Sequence, residues 1–148
     1  MNRIYQKLFI LISLFLSSCN NNFPNKITRN FATSDIESIY LKHIDNINNE
    51  MTASEINAIN ELSIQYIYNC FSYEWISDNH YINPPEKFLE FYLIKMYLKS
   101  NVTWQARYWV YDYNTGCVTY ENGESYKFCG KDKFSLFEKI KEYVNSIN

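Results

Sequence analysis

The chain has 148 residues, with 14 lysines and arginines against 16 aspartates and glutamates, and a formal net charge of −2. That length suits one modest domain with its own core, and the charge balance lacks the basic excess that nucleic-acid binding requires, so no nucleic-acid partner is expected. Aromatic residues make up 18% of the chain, which is compatible with an interaction module because tyrosine and tryptophan dominate binding hot spots.

The first residues have the pattern of an export signal. Arg3 and Lys7 precede an apolar run from Leu8 to Leu16. This run is much shorter than the about 20 residues that a helix needs to cross a bilayer. A basic start, a short apolar stretch and then small residues are typical of a cleaved signal peptide.

The end of this segment, Leu16-Ser17-Ser18-Cys19, resembles the lipobox of bacterial lipoproteins. The resemblance implies that the Cys19 thiol receives a diacylglyceryl group, that a lipoprotein signal peptidase cuts before Cys19, and that the new amino end is acylated with a fatty acid such as palmitate. Several acyl chains give a stable anchor, because each buried CH₂ contributes about 0.8 kcal/mol and one chain alone binds marginally. An ordinary cleaved signal with an unrelated cysteine is the alternative.

The sequence therefore predicts three parts: a signal peptide over residues 1–18, a lipidated tether over 19–31 and a single domain over 32–148. The tether is polar, carries Pro24 and shows no apolar period, as in a flexible linker. In a cell with two membranes, the resemblance favours the outer membrane facing the periplasm, since Asn20 is not the aspartate that retains some lipoproteins at the inner membrane.

Capping boxes and apolar stripes predict helices in the first half of the domain. Ser34-Asp35-Ile36-Glu37 precedes a stripe that reaches Ile47, and Thr52-Ala53-Ser54-Glu55 precedes another that reaches Cys70. Asn83-Pro84-Pro85-Glu86 then predicts a third helix, from Pro85 to about Lys99, which is apolar around most of its circumference and is expected to be central.

The second half has strand and turn signals. Strands are predicted at roughly 103–113, 117–121 and 124–129, joined by turns at Asn114-Thr115-Gly116 and Asn122-Gly123, and a last helix starts at Asp132. The predicted fold class is α+β, with N-terminal helices, a three-stranded antiparallel meander and a C-terminal helix.

The predicted turns set Cys117 opposite both Tyr113 and Phe128. Because side chains alternate along a strand, one face then collects Arg107, Trp109, Tyr111, Tyr113, Cys117, Tyr126 and Phe128. Either helices cover both faces of this sheet or tyrosine hydroxyls keep one face in contact with water, or the aromatic face is exposed and binds a protein partner. A sugar-stacking surface is a further version of the second hypothesis. The candidate binding residues are Trp109, Tyr111, Tyr113, Tyr126 and Phe128.

Three cysteines remain beyond Cys19, and export favours one disulfide among them. Cys117–Cys129 is favoured by proximity, although the predicted register points the two side chains to opposite faces, so that a bridge needs a bulge or a shifted turn. Cys70–Cys129 and Cys70–Cys117 are the alternatives.

No catalytic constellation is apparent in the sequence. His43 lies on the first apolar stripe, where packing is the simpler role, and His80 lies in a loop with Glu74 and Asp78. The spacing of these three residues matches no metal motif, and no glycine-rich phosphate loop is present. No metal or cofactor is therefore expected.

The sequence thus favours a lipid-anchored protein of the bacterial cell envelope that binds a protein partner and is not an enzyme. An immunity-type or inhibitor lipoprotein fits the size, acidity and aromatic content. The alternatives are a small envelope enzyme with a site near Glu74, Asp78 and His80, and a structural envelope lipoprotein.

Overall fold

The computed structural model describes residues 25–80 and 86–148, with side chains for 29–72 and 86–148. Its strands are β1 Asn25–Thr28, β2 Ile36–Asp45, β3 Thr52–Ala58, β4 Tyr73–His80, β5 Glu90–Leu98, β6 Thr103–Val110, β7 Thr115–Tyr120 and β8 Ser125–Cys129. Its helices are α1 Glu61–Cys70 and α2 Leu136–Ile147, and short 3-10 turns span Thr33–Asp35 and Gly130–Asp132.

All the strands join one antiparallel sheet in the order β1-β4-β8-β7-β6-β5-β2-β3. The six strands from β8 to β3 form most of it, and β4 and β1 extend one edge. The predicted fold class was wrong, because the expected N-terminal helices are largely strands and the three-stranded meander is only one part of a larger sheet.

The segment predicted as the first helix forms β2. Ile39, Leu41 and His43 are buried on one face, while the residues between them are half-buried on the other. Apolar residues on both faces of a strand also satisfy a helical spacing by chance, so the period was misleading. The capping box at Ser34–Glu37 overlaps the 3-10 turn that precedes the strand.

The predicted central helix forms β5, for the same reason. Tyr92, Ile94 and Met96 are fully buried, and Phe91 and Leu93 on the opposite face are half-buried. A strand that is apolar on both faces cannot be distinguished by composition from a helix that is apolar all round.

The second predicted helix exists only in its later part, as α1. Asn60 caps it, and the Asn60 side chain accepts a hydrogen bond from the Leu62 amide at 2.9 Å. The residues of the predicted capping box, Thr52 to Glu55, lie in β3 and pair with β2.

Both helices pack on the same face of the sheet, which we call the covered face. α2 buries Phe137, Ile140 and Val144, and the Tyr66 and Tyr143 rings stack between the helices with centroids 4.0 Å apart. The covered face contributes the buried side chains Ile39, Leu41, Tyr92, Ile94, Met96, Ala106, Tyr108, Val110, Val118 and Phe128 to this core.

Strands β6, β7 and β8 overlap the three predicted strands, but both hairpin registers differ from the prediction. Trp109 lies opposite Cys117, and Cys117 lies opposite Lys127. The first loop closes early, because the Tyr111 amide donates to the Thr115 carbonyl at 3.0 Å. In the second turn the Tyr120 amide donates to the Glu124 carbonyl at 2.9 Å, and Gly123 adopts a φ of 84°. A slip of one residue moves every side chain of a strand to the other face.

Candidate functional site

The structure separates the residues that the sequence grouped as one aromatic binding surface. Tyr126 and Phe128 pair with Val118 and Gly116 on the covered face, and Phe128 is only 1% exposed. Trp109 lies on the opposite face, where its ring is 5.3 Å from that of Phe91. Tyr111 and Tyr113 lie in the β6–β7 loop. These five side chains therefore do not form one surface.

None of the predicted disulfides forms, because Cys70 and Cys117 are both free thiols and each predicted pairing includes one of them. Cys129 lies opposite Thr115 in the observed register, and not opposite Cys117. Burial raises the pKa of both the Cys70 and the Cys117 thiols, which keeps them protonated and poorly nucleophilic at neutral pH.

The strongest candidate site is a cavity of about 560 Å³ on the covered face, beyond the end of α1. Five places in the described part of the chain line it: residues 29–31, the segment after α1 at Phe71 and Ser72, Trp104 on β6, Tyr120 on β7, and the β7–β8 turn. We call it the Arg29 cavity. Its size and aromatic walls are those of typical ligand pockets.

Arg29 provides the cation of this cavity. Its guanidinium carbon lies 4.1 Å from the centroid of the Trp104 ring and 5.6 Å from that of Tyr68, which are favourable cation–π distances. Nη2 donates a long hydrogen bond of 3.5 Å to the Tyr108 hydroxyl. Nε and Nη1 are buried and have no hydrogen-bond partner among the residues whose side chains the structure describes. Because these two nitrogens are closed to solvent, Arg29 contributes its positive charge to the cavity, and not these two N–H groups.

Aromatic contacts hold the walls of the cavity in place. The Tyr68 hydroxyl donates to the Phe31 carbonyl at 2.9 Å, which fixes the segment that carries Arg29 against α1. The Trp104 ring contacts those of Phe31 and Tyr120, with centroids 6.3 and 6.1 Å apart. Offset and edge-to-face contacts of this kind stabilise a fixed arrangement of rings.

The rim of the cavity is acidic. Glu121 and Glu124 line it from the β7–β8 turn, and both are exposed. The Tyr126 hydroxyl donates to Glu124 Oε2 at 2.9 Å, and burial together with this carboxylate raises the pKa of Tyr126. The cavity thus combines an aromatic interior and one cation with two carboxylates at its entrance.

No motif in the sequence predicts this site. The predicted tether over 19–31 includes Arg29, whereas residues 25–31 contribute β1 and the segment that packs on Trp104. A cation and an aromatic ring two residues apart, Arg29 and Phe31, are the local feature that could have indicated the site. The other walls come from distant segments and meet only in the folded chain.

A second polar group, formed by His43, Glu90 and Tyr92, is closed to solvent. These residues are 6%, 2% and 0% exposed. His43 Nε2 lies 3.1 Å from Glu90 Oε1, and the Ser135 amide donates to Glu90 Oε2 at 2.9 Å. Burial raises the pKa of Tyr92. A substrate has no access to these atoms, so the group holds β2, β5 and the start of α2 together.

The candidate enzyme residues Glu74, Asp78 and His80 lie in β4, outside the part of the chain whose side chains are described. Among the described residues, no group of three or more histidines, cysteines, aspartates and glutamates could hold a metal ion. Within the same described ranges, no helix has the length and apolar character needed to cross a membrane. The lipobox cysteine, Cys19, lies outside the described residues.

No protein-family model, curated protein or solved structure matches this chain.

Proposed function

We propose that this chain is a lipid-anchored protein of the bacterial envelope that binds a protein partner through the Arg29 cavity. The anchor is supported by the lipobox Leu16-Ser17-Ser18-Cys19 and the short apolar run before it. The binding role is supported by one observation above all: an arginine guanidinium stacked on the Trp104 ring in the wall of an aromatic cavity.

The volume of the cavity defines what it can accept. About 560 Å³ is suited to one or two projecting side chains of a partner. Tryptophan, tyrosine and arginine are the residues that most often dominate protein interfaces, and Trp104, Tyr120 and Arg29 are all present here. A single inserted side chain can therefore anchor the complex while the surrounding surface excludes water.

The charges of the cavity define the chemistry of the partner segment that fits it. The positive charge of Arg29 in the cavity wall favours a carbonyl or carboxylate oxygen of the partner. Glu121 and Glu124 at the rim favour basic groups and repel additional acidic ones. The partner segment that fits is an apolar or aromatic side chain next to a hydrogen-bond acceptor, with lysine or arginine at its periphery.

Two tryptophans on the same strand provide a matched test. Trp104 lines the cavity and Trp109 lies on the opposite face of β6. We expect Trp104→Ala to weaken capture of a stoichiometric partner from envelope extracts by tenfold or more, on the order of the loss typical of a hot spot. Trp109→Ala should retain the partner.

Thermal unfolding of both variants distinguishes lost binding from lost folding. The proposal requires Trp104→Ala to be folded and deficient in binding. If Trp109→Ala loses the partner and Trp104→Ala keeps it, the binding surface lies on the opposite face. If the unmodified protein captures no stoichiometric partner, the binding function is wrong.

A further inference from the structure

Strand β3 forms one edge of the sheet. It pairs with β2 on one side, and among residues 25–80 and 86–148 no strand pairs with its other side. Its seven residues, Thr52–Ala58, contain no proline, glycine or lysine and follow β2 in continuous register. Natural edge strands are usually protected by proline, by charged side chains and lysine in particular, or by bulges. Here Glu55 is the only charge.

The outward backbone groups of β3 follow from the hydrogen-bond pattern of the sheet. The Tyr111 amide donates to the Thr115 carbonyl and the Leu98 amide to the Val102 carbonyl. In an antiparallel sheet successive residues direct their N–H and C=O groups to opposite neighbours. We can follow this alternation from these two bonds through β6, β5 and β2. The backbone N–H and C=O groups of Leu41 then point towards those of Ile56. The N–H and C=O groups of Ala53, Glu55 and Asn57 therefore point away from the sheet.

We propose that β3 pairs antiparallel with β3 of a second copy of this chain, about a two-fold axis at Ile56. This axis places Glu55 of each copy opposite Asn57 of the other, at hydrogen-bonded positions of the new ladder. An axis at Glu55 would instead set two carboxylates opposite each other, which is unfavourable. The axis at Ile56 gives the register with complementary side chains.

One exposed apolar residue just beyond the end of β3 also favours this register. Ile59 is 79% exposed, and pairing with a second strand removes part of its apolar surface from water. The axis at Ile56 places Ile59 opposite Ala53 of the second copy. An axis at Ser54 would place Ile59 beyond the paired segment and leave it in water.

The charge of Glu55 is partly balanced before any pairing. Its carboxylate lies 3.8 Å from Lys42 Nζ on the neighbouring strand, and a hydrogen bond to Glu55 raises the pKa of Tyr40. A carboxylate held in this way can face a carboxamide at modest cost. The edge is thus suited to a neutral, self-complementary strand, and the proposal does not depend on the Arg29 cavity.

Cysteine cross-linking in membranes tests the axis directly. Ile56 lies opposite itself at a non-hydrogen-bonded pair, where Cα atoms are about 4.5 Å apart, within the range that a disulfide spans. Mild oxidation of Ile56→Cys should give a covalent dimer in high yield. Ser54→Cys, whose two copies lie several residues apart in this register, should give little. If Ser54→Cys cross-links and Ile56→Cys does not, or if neither does, the proposed pairing is wrong.

Two charge variants keep the test valid if Ile56→Cys folds poorly. Asn57→Glu places a carboxylate opposite that of Glu55 in the second copy, and Asn57→Lys places a lysine opposite the same carboxylate. We expect the dimer dissociation constant from sedimentation equilibrium to rise about threefold or more for Asn57→Glu and to fall for Asn57→Lys. Equal effects of the two variants, or a monomer at every concentration, would contradict the proposal.

Discussion

At the scale of single residues, Gly116 and Phe128 show how closely the covered face is packed. They lie opposite each other on β7 and β8, and a Cβ at Gly116 would lie 2.4 Å from Phe128 Cζ. We expect Gly116→Ala to reduce the free energy of unfolding by about 1–3 kcal/mol, as overpacking a core does. Urea unfolding measures this loss.

A second substitution identifies the cause of that loss. Phe128→Leu creates space in front of Gly116, so the double variant Gly116→Ala/Phe128→Leu should be more stable than the sum of the two single changes predicts. Strict additivity would mean that the contact with Phe128 is not the source of the effect.

Gly116 also belongs to the segment where the sequence predicts the first hairpin loop, which the structure places earlier. Asn114-Thr115-Gly116 has the composition of a turn, but Asp112 closes the loop earlier. Its Oδ1 accepts hydrogen bonds from the amides of Asn114 and Thr115 at 2.7 and 2.8 Å, and these bonds lower the pKa of the Asp112 carboxyl. Turn composition alone does not show which of several polar residues caps the loop.

At the scale of secondary-structure elements, the buried Glu90 carboxylate connects β5 to the start of α2. It contacts His43 and accepts from the Ser135 amide, and the Tyr92 hydroxyl beside it donates to the Lys133 carbonyl at 2.8 Å. Glu90→Gln removes the charge and replaces one acceptor with a donor. We expect a loss of about 1–3 kcal/mol in unfolding free energy, as for a buried polar group left without its partner.

Hydrogen exchange and a surface control locate the effect of Glu90→Gln. The amides of Ser135 and Phe137 should exchange faster, because they donate to Glu90 and to Tyr92. Glu138→Gln, on the exposed side of α2, should change stability by less than about 0.5 kcal/mol. Equal small losses in both variants would show that Glu90 does not hold the helix.

The elements that the sequence predicted best are those with one clear apolar face. Helix α2 buries Phe137, Ile140 and Val144 and exposes most of the residues between them, so its period was unambiguous. Strands β2 and β5 lie within the sheet and carry apolar residues on both faces. Burial on both faces removes the apolar–polar alternation that identifies a strand, and the local sequence does not show that a segment will be buried in this way.

At the scale of the whole molecule, the Arg29 cavity could not be predicted, because it depends on the order of strands in the sheet. Trp104 and Tyr120 become neighbours through the β6–β7 pairing, and Arg29 reaches them from β1, at the edge beyond β4. The predicted domain begins at residue 32 and therefore leaves out Arg29, which supplies the positive charge of the cavity. Long-range pairing is the information that periodicity and motifs lack.

The membrane anchor is the property of the whole molecule that the lipobox predicts, and Cys19→Ala tests it. Wild-type protein should incorporate labelled palmitate and remain with membranes after a carbonate wash, because several acyl chains each contribute about 0.8 kcal/mol per buried CH₂. Cys19→Ala should incorporate no label and retain residues 1–18, which increases its mass on a gel. Cys70→Ala is the matched control, since it removes a different thiol and should be processed normally. Labelling of Cys19→Ala at the wild-type level would disprove the anchor, and the proposed envelope location would then depend on the signal peptide alone.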